Sequence, residues 1–362
     1  MNTFIRQSIR FSTTAFLLAS STIAWGQGCI LARQCASVFD TSSPYLKPHE
    51  WIFSSSLRWL DATRHYSGST EQTQRDTLGT NVVNRQRLLD LSGNYQVTDA
   101  DSVVLSIPIL LRGSWSVPLP VATGNPRYTQ RAAGIGDVVA TVRHWVHDVN
   151  KFDKENYSLG LGLKLPTGNP HAMAPFPDLT GGNIISRPVD QSIQPGDGGW
   201  GFNTEFNAFK LIGKFNLFAS GTYLINPKNV NGTPSILSVL NNGVLTPANE
   251  YRRYNSVPDQ YLARVGFAFP FSYVKGSSFS LSGRIEGVPV KDLFGPSDGW
   301  RRPGYEVFIE PGFAIHRGNE MFSISTPVGL LRRREPDSMG NKGDATFADY
   351  LWLLGYSRKF GK

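Results

Sequence analysis

The chain of 362 residues is long enough for two soluble domains or for one large barrel. Charged residues make up 18% of it, below the roughly 25% usual for soluble proteins, while 12% are aromatic and 36 glycines and 23 prolines occur. This composition disfavours a helical protein. The negative mean hydropathy excludes a bundle of transmembrane helices, but not a membrane β-barrel, in which only alternate strand residues face lipid.

The N-terminus has the organisation of a secretory signal peptide. Arg6 and Arg10 precede an apolar stretch over residues 13–24, and Ala24-Trp25-Gly26 places small residues at the two positions that a signal peptidase recognises. We therefore predict a signal peptide over residues 1–26, with a membrane anchor or a buried helix as the alternative. Export argues against nucleic acid as the partner of the net charge of +8.

Residues 27–49 are predicted to form a periplasmic N-terminal segment that can plug the barrel. This segment holds the two cysteines of the chain, Cys29 and Cys35. In the oxidising periplasm they can form a disulfide. The alternative is a lipidated Cys29, although the leucine of a lipobox is missing before it. No histidine cluster accompanies the cysteines, so no metal site is predicted.

From residue 50 onward, apolar and polar residues alternate with a period of two, which is typical of strands with one apolar face. The clearest run is Tyr157, Leu159, Leu161, Leu163 and Leu165, which alternates with Ser158, Gly160, Gly162 and Lys164. About twelve such strands are predicted, each long enough to cross a bilayer at a tilt. Their spans are 50–66, 84–97, 101–113, 134–148, 155–167, 198–212, 214–226, 258–271, 277–289, 303–316, 319–332 and 346–360.

The predicted connections alternate between long and short, as in outer-membrane barrels with short periplasmic turns and long extracellular loops. The long ones are 67–83, 114–133, 168–197, 227–257, 290–302 and 333–345. Residues 50–362 are therefore predicted to form an all-β, transmembrane antiparallel barrel of about 12 strands, closed because lipid cannot satisfy open strand edges. Aromatic residues near strand ends predict two girdles: Trp51, Trp59, Tyr66, Tyr95, Trp115, Trp145, Trp200, Tyr223, Tyr305 and Tyr356.

Charged residues opposite the apolar face are candidates for the lumen, either as a charged constriction that selects solutes or as paired charges that fill a narrow interior. They are Arg58, Asp90, Arg143, Lys164, Glu205, Arg264, Arg284, Glu286, Glu306 and Glu310. Arginine clusters at 252–253, 301–302 and 332–334 fall in or beside long loops. They suit lipopolysaccharide phosphates or anionic solutes, or else are simply solvated. The third and fourth long loops are rich in Pro, Gly and Asn and can fold inward over the mouth.

Nothing in the sequence predicts an enzyme. His144 and His147 fall on opposite faces of one strand and cannot bind one metal. No GxSxG or HExxH motif occurs, so no catalytic residue, metal or cofactor is predicted. A hydrolase site assembled from distant strands is the weakest of the alternatives.

Four segments resemble the outer-membrane family associated with the meta-pathway of phenol degradation. They are GIGD at 134–137, KLPTG at 164–168, QPGDGGWGF at 194–202 and GDATFADY at 343–350. The resemblance covers roughly residues 50–360 and implies a barrel that takes up hydrophobic aromatic compounds. It carries over no catalytic residue, and the basic loops and the cysteine pair have no match in the family.

Together, these observations predict a channel in the outer membrane of a Gram-negative bacterium for passive uptake of small, hydrophobic or aromatic molecules. The alternative is a barrel that presents its loops to a partner without transport. The expected partners are outer-membrane lipids including lipopolysaccharide, a small solute and the barrel-assembly machinery.

Overall fold

Twelve antiparallel strands form one closed barrel in the computed structural model, which describes residues 44–361. The predicted signal peptide, the cysteine pair and most of the predicted plug lie outside these residues. Closure joins the first strand to the last, with partners running from Trp51 opposite Phe360 to Tyr66 opposite Ala345. The predicted fold class and the twelve strands are confirmed. The strands are β1 (Trp51–Ser67), β2 (Val83–Gln96), β3 (Asp101–Pro118), β4 (Arg127–Ile135 and Val138–Trp145), β5 (Glu155–Leu165), β6 (Gly201–Ile212), β7 (Phe215–Ile225), β8 (Gln260–Pro270), β9 (Ser277–Val288), β10 (Gly304–Arg317), β11 (Glu320–Ser325 and Val328–Arg334) and β12 (Ala345–Phe360).

Two of the strands are interrupted. Strand β11 breaks at Thr326-Pro327, where proline has no N–H to donate to a neighbouring strand. Strand β4 breaks at Gly136-Asp137, and there the Gly136 N–H bonds to the Pro108 carbonyl while Asp137 turns toward a loop. Both breaks lie in the barrel wall, so they change which side chains point inward.

The period-two pattern produces an apolar outer face and a polar interior. Leu161 is 71% exposed on the outside, and Val142 and Val265 are similarly exposed. Between such residues, Ser158 and Lys164 are buried inside the barrel. Exposed apolar side chains on every second position of a closed barrel form the surface that a bilayer requires.

Six loops lie at one end of the barrel and five turns at the other, and every loop except the second is longer than any of the turns. We name the loops L1 (68–82), L2 (119–126), L3 (166–200), L4 (226–259), L5 (289–303) and L6 (335–344). They contain the helices α1 (Thr73–Thr77) and α2 (Ile236–Leu240), the paired strands Met173–Phe176 with Ile185–Pro188 and Val230–Pro234 with Tyr254–Ser256, and 3-10 turns at Gln191–Ile193 and Pro247–Arg252. Within the described chain, no helix has the length and hydropathy needed to span a membrane.

The second loop is much shorter than the predicted 114–133, because β3 continues to Pro118 and β4 begins at Arg127. Beyond the apolar belt the polarity of the two faces is reversed. Trp115 and Val117 point inward and are buried, whereas Ser114 and Arg131 lie on the outer face. A search for apolar outward residues therefore ends these strands too early.

At the long-loop end, an apolar cluster, which we call the hydrophobic cap, packs the loops against one another. It joins the inward face of the β3 extension to L3, L4 and L5, so the loops share a core like that of a soluble domain. Its buried members are Val82, Trp115, Val117, Leu119, Ala174, Phe176, Val189, Ile193, Ile236, Val239, Leu240 and Trp300.

Three of the predicted girdle residues do not face lipid. Trp115 belongs to the hydrophobic cap, Tyr66 is buried against Phe347, and Trp145 points inward against Phe209. Aromatic residues at strand ends therefore serve two purposes here, packing loops inside the barrel as well as lying on its outer surface. Trp51, Trp59, Tyr95 and Trp200 are exposed outside.

Candidate functional site in the barrel interior

All ten charged residues predicted for the lumen point into the barrel. Strands β8 to β10, with β1, bring five of them into one network. Arg58 donates to Glu286 over 2.7 Å, and Arg284 donates to the other Glu286 oxygen over 3.0 Å. Arg264 donates to Glu310 over 2.9 Å, and Arg284 Nη1 lies 3.7 Å from the second Glu310 oxygen.

This network, which we call the arginine–glutamate network, is almost fully excluded from solvent. Each of its three arginines and two glutamates is at most 4% exposed. Ser325 on β11 adds a hydrogen bond of 2.8 Å to Glu310. A buried charge is tolerated only when it is paired and hydrogen-bonded, so this side of the lumen is filled by mutually neutralising groups.

Glu306 belongs to a separate pair nearby. Its Oε1 lies 3.1 Å from Nε of Arg332, which also donates to the Ala348 carbonyl. The sequence predicts that Arg332 belongs to an arginine cluster in or beside a long loop. The structure places it in β11 with its guanidinium buried beside the barrel wall.

On the opposite wall, formed by β4 to β6, some inward-facing side chains are partly exposed to solvent. Arg143 donates to Glu205 over 2.6 Å, and the amide of Asn203 donates to the same carboxylate over 2.9 Å. The side chains of Arg143 and Glu205 are 22% and 10% exposed. Gly160 of β5 is the cross-strand partner of both residues and carries no side chain that could cover the pair.

Strand β2, which is separated from β4 by β3, adds further polar surface to the interior. Asp90, Ser92 and Asn94 point inward and are only partly buried. The interior is therefore asymmetric: the arginine–glutamate network packs one side, while a polar surface that includes the Arg143–Glu205 pair lines the other. Such a surface can contact a solute that passes along the lumen.

Three of the sequence segments that carry the family resemblance meet at one point, which we call the rim junction. Asp137 of GIGD accepts hydrogen bonds from the Gly168 and Asp197 N–H groups, each 2.9 Å long. Lys164 forms an ion pair with Asp197, and the Thr167 hydroxyl donates to the Gly136 carbonyl. The junction ties both ends of L3 to the break in β4.

The close approach at the rim junction requires glycine. A Cβ atom placed on Gly196 would lie 2.5 Å from the Gly168 carbonyl carbon, far inside van der Waals contact. From the sequence, the GIGD glycines indicated a backbone bend at the rim. The role of Asp137 was not anticipated, although an acidic residue directly after two glycines was a usable signal.

Between these anchors, L3 folds inward as the sequence had suggested. Gln86 of β2 donates to the Ser192 carbonyl over 2.9 Å, and Gln130 of β4 donates to the Pro188 carbonyl over 3.1 Å. Asp190 is fully buried and pairs with Arg302 of L5 at 2.5 Å. L3 is thus fixed across the mouth by polar contacts to the wall and to other loops.

Most of the loop arginines bind carboxylates of the chain itself. Arg301 donates to Asp292 over 3.0 Å, and Arg252 donates to Asp337. Burial would raise the pKa of Asp337, but hydrogen bonds from Tyr251 and Arg252 outweigh it and hold that pKa below its usual value. Burial, together with the hydrogen bond to Asp337, raises the pKa of Tyr251 to about 12.

At the short-turn end, the last residues of the predicted plug enter the barrel. The Tyr45 ring packs edge-on against the inward-facing Trp145 and Phe209, with centroids 5.1 and 5.6 Å away. Its hydroxyl donates to the Phe152 carbonyl over 2.6 Å. The described part of this segment therefore contributes an aromatic side chain to the interior at that end.

The two histidines of β4 and the turn after it have separate surroundings. The His144 ring bonds to Asp101 on the outer face over 2.8 Å, and His147 stacks on Phe152. Buried His65 pairs with Asp344 and accepts a hydrogen bond from the Val82 N–H. These contacts hold loop and strand ends together.

No protein-family model and no curated protein sequence matches the chain. Among solved structures, an outer membrane channel from Pseudomonas putida F1 aligns with 91% of this chain and 100% of its own, with 12% identity and a TM-score of 0.58. A Pseudomonas aeruginosa FadL homologue (86% and 90% covered, 10% identity, TM-score 0.39) and the Pseudomonas putida toluene transporter TodX (86% and 90%, 9%, 0.42) align less closely. The alignment with the first of these shows that the chain shares the fold of an outer-membrane channel.

Proposed function

We propose that the protein is an outer-membrane channel for passive uptake of small molecules, hydrophobic or aromatic compounds among them. The fold shared with an outer-membrane channel and the apolar belt support the location. The family resemblance of the rim-junction segments supports the class of solute. The partly exposed wall at Arg143 and Glu205 is the observation that carries the proposal.

In this mechanism the solute diffuses along the polar wall while the arginine–glutamate network keeps the other side filled. No energy source is involved. Because Arg143 and Glu205 neutralise each other, a neutral solute meets little net charge at this height of the lumen. The paired charges also orient dipolar groups as the solute passes.

Selectivity in planar bilayers tests the role of the pair. Glu205→Gln leaves Arg143 unpaired and should shift the reversal potential toward anion selectivity, whereas Arg143→Gln should shift it toward cations. Glu320→Gln, on the outer face near a short turn, is the control and should leave the potential unchanged. Shifts of the same sign in both lumen variants would contradict the assignment.

Swelling of liposomes in a neutral aromatic solute tests uptake itself. A barrel that admits neither ions nor this solute would refute the channel and favour the second candidate, a barrel that presents its loops to a partner. The hydrophobic cap supports that candidate, since it gives the loops a fixed arrangement.

A further inference from the structure

Four arginines form a charged area on the outer wall, directly beside the apolar belt at the long-loop end. Arg85 and Arg87 lie on β2, Arg112 on β3 and Arg131 on β4. We call them the outer arginine patch. Arg87 is the direct cross-strand partner of Arg112, and Ser114 pairs with Arg85 on one side and Arg131 on the other. Side chains directly opposite on one face have Cβ atoms about 4.5–5.5 Å apart, so the four groups are close neighbours.

The patch faces outward. Gln86, the residue after Arg85, is buried inside the barrel, so Arg85 points outward. Gln130, the residue before Arg131, is the cross-strand partner of the inward-facing Trp115, so Arg131 also points outward. Arg85, Arg112 and Arg131 are exposed, and Arg87 is partly exposed.

Among the residues that the structure describes, the patch has fewer negative than positive charges beside it. The carboxylate of Asp61 on β1 forms ion pairs with two of the four arginines. Its oxygens lie 2.8 Å from a guanidinium nitrogen of Arg87 and 3.7 Å from one of Arg85. Within residues 44–361, the guanidinium groups of Arg112 and Arg131 have no hydrogen bond or ion pair. Like charges placed directly opposite in a sheet destabilise it. An external anion bound between these arginines would therefore reduce the repulsion between their guanidinium groups.

The position of the patch along the barrel axis indicates which anion it can reach. Leu111, which is exposed outside, immediately precedes Arg112, and exposed Ile135 lies below Arg131 on the same strand. Arg87 also stacks over Trp59, 3.7 Å from the ring centroid, and tryptophan is typical of the interfacial zone. The patch therefore lies at head-group level on the side of the long loops, which in outer-membrane barrels is the extracellular side.

We propose that the outer arginine patch binds the phosphate groups of lipid A in the outer leaflet. Arginine matches phosphate with paired, charge-assisted hydrogen bonds, and the acyl chains of the same molecule would lie along the adjacent apolar belt. This site differs from the loop arginines, whose guanidinium groups are mostly bound to carboxylates of the chain. The proposal depends on the outer-membrane location and not on transport.

Native mass spectrometry of the detergent-solubilised full chain tests it with three probes: bisphosphorylated lipid A, its dephosphorylated form and phosphatidylglycerol. The bisphosphorylated form should bind most tightly. Arg112→Gln combined with Arg131→Gln removes two charge-assisted contacts and should weaken its binding about tenfold or more. The same variant should bind the dephosphorylated form as the unmodified protein does.

Arg358→Gln is the matched control, because Arg358 is an exposed outer-wall arginine at the short-turn end. It should leave lipid A binding unchanged. Arg112→Lys retains the charge and should keep most of the affinity for lipid A. This result would show that the weaker binding of the double variant comes from the lost charges and not from a folding defect. Unchanged lipid A binding in the double variant would overturn the proposal, as would equal affinity for phosphatidylglycerol.

Discussion

At the scale of single residues, the interior is held by charges whose partners come from distant parts of the chain. Glu286 accepts hydrogen bonds from Arg58 on β1 and from Arg284 on its own strand. Glu286→Gln would replace one accepting oxygen by an amide donor. The two buried guanidinium groups, of Arg58 and Arg284, would then lose the negative charge that Glu286 supplies. Removing one member of a buried pair costs about 3–5 kcal/mol, and we expect a loss of that size in urea unfolding from lipid vesicles.

Glu335→Gln is the control for this substitution. Glu335 pairs with Arg333 in a partly exposed setting, where an ion pair contributes about 0–1 kcal/mol. Equal losses in the two variants would mean that water reaches Glu286 and that the arginine–glutamate network is not a packed unit.

The inward direction of the ten lumen residues could be predicted because side-chain direction alternates along any strand. Their partners could not, because pairing around a closed barrel depends on strand tilt and stagger, which the pattern of one strand does not contain. Arg332 shows a second limit. It follows the break at Pro327, and a bulge between Val307 and Phe308 shifts the register beside it, so alternation alone did not reveal its buried position.

At the scale of elements, L3 is held at both ends by the rim junction. Gly196→Ala places a methyl group against the Gly168 backbone, and overpacking of this kind costs about 1–3 kcal/mol. We expect L3 to detach more often from the wall. The N–H group of Asp190 in L3 is buried and donates to the Gln130 side chain of β4 over 2.8 Å, so its hydrogen–deuterium exchange reports such opening and should become faster.

Gly93→Ala is the matched control, because no atom lies within 4 Å of a Cβ at Gly93. It should leave the exchange rate of the Asp190 N–H group unchanged. If Gly196→Ala also left it unchanged, the close approach of Gly196 and Gly168 would not be what fixes L3.

The strands were predictable as elements, and the loop architecture was not. Alternation located all twelve strands because lipid imposes one rule on every outward residue. The requirement for apolar outward residues ends at the head groups. Above them the pattern is reversed, with polar Ser114 facing outward and Trp115 facing inward. The inward fold of L3 depends on individual contacts such as Asp190 with Arg302, which are 112 residues apart and leave no periodic signal.

At the scale of the whole molecule, the barrel combines a lipid-facing exterior with an interior packed like that of a soluble protein. The arginine–glutamate network fills one side, the hydrophobic cap packs the loops at one end, and Tyr45 enters the other. What remains accessible is the wall around Arg143 and Glu205. In the proposed channel, passage of a solute would therefore depend on that wall and on the loops above it more than on the number of strands.

The apolar belt yields a prediction that separates a membrane barrel from a soluble one. Leu161 lies at the middle of the outward face of β5 and is 71% exposed. On a water-exposed surface, Leu161→Arg would change stability by about 0.5 kcal/mol or less. At the midplane of a bilayer, an arginine on the lipid face costs about 2–4 kcal/mol, and we expect that loss for the protein folded in phospholipid vesicles.

Val244→Arg supplies the comparison, since Val244 is 76% exposed but lies in L4, away from the belt. Because its surroundings are aqueous, this substitution should be nearly neutral in the same urea titration. The difference between the two variants, rather than either value alone, measures the hydrocarbon around Leu161. A neutral Leu161→Arg would mean that β5 faces water, and the outer face would then have to be explained by contact with another protein instead of lipid.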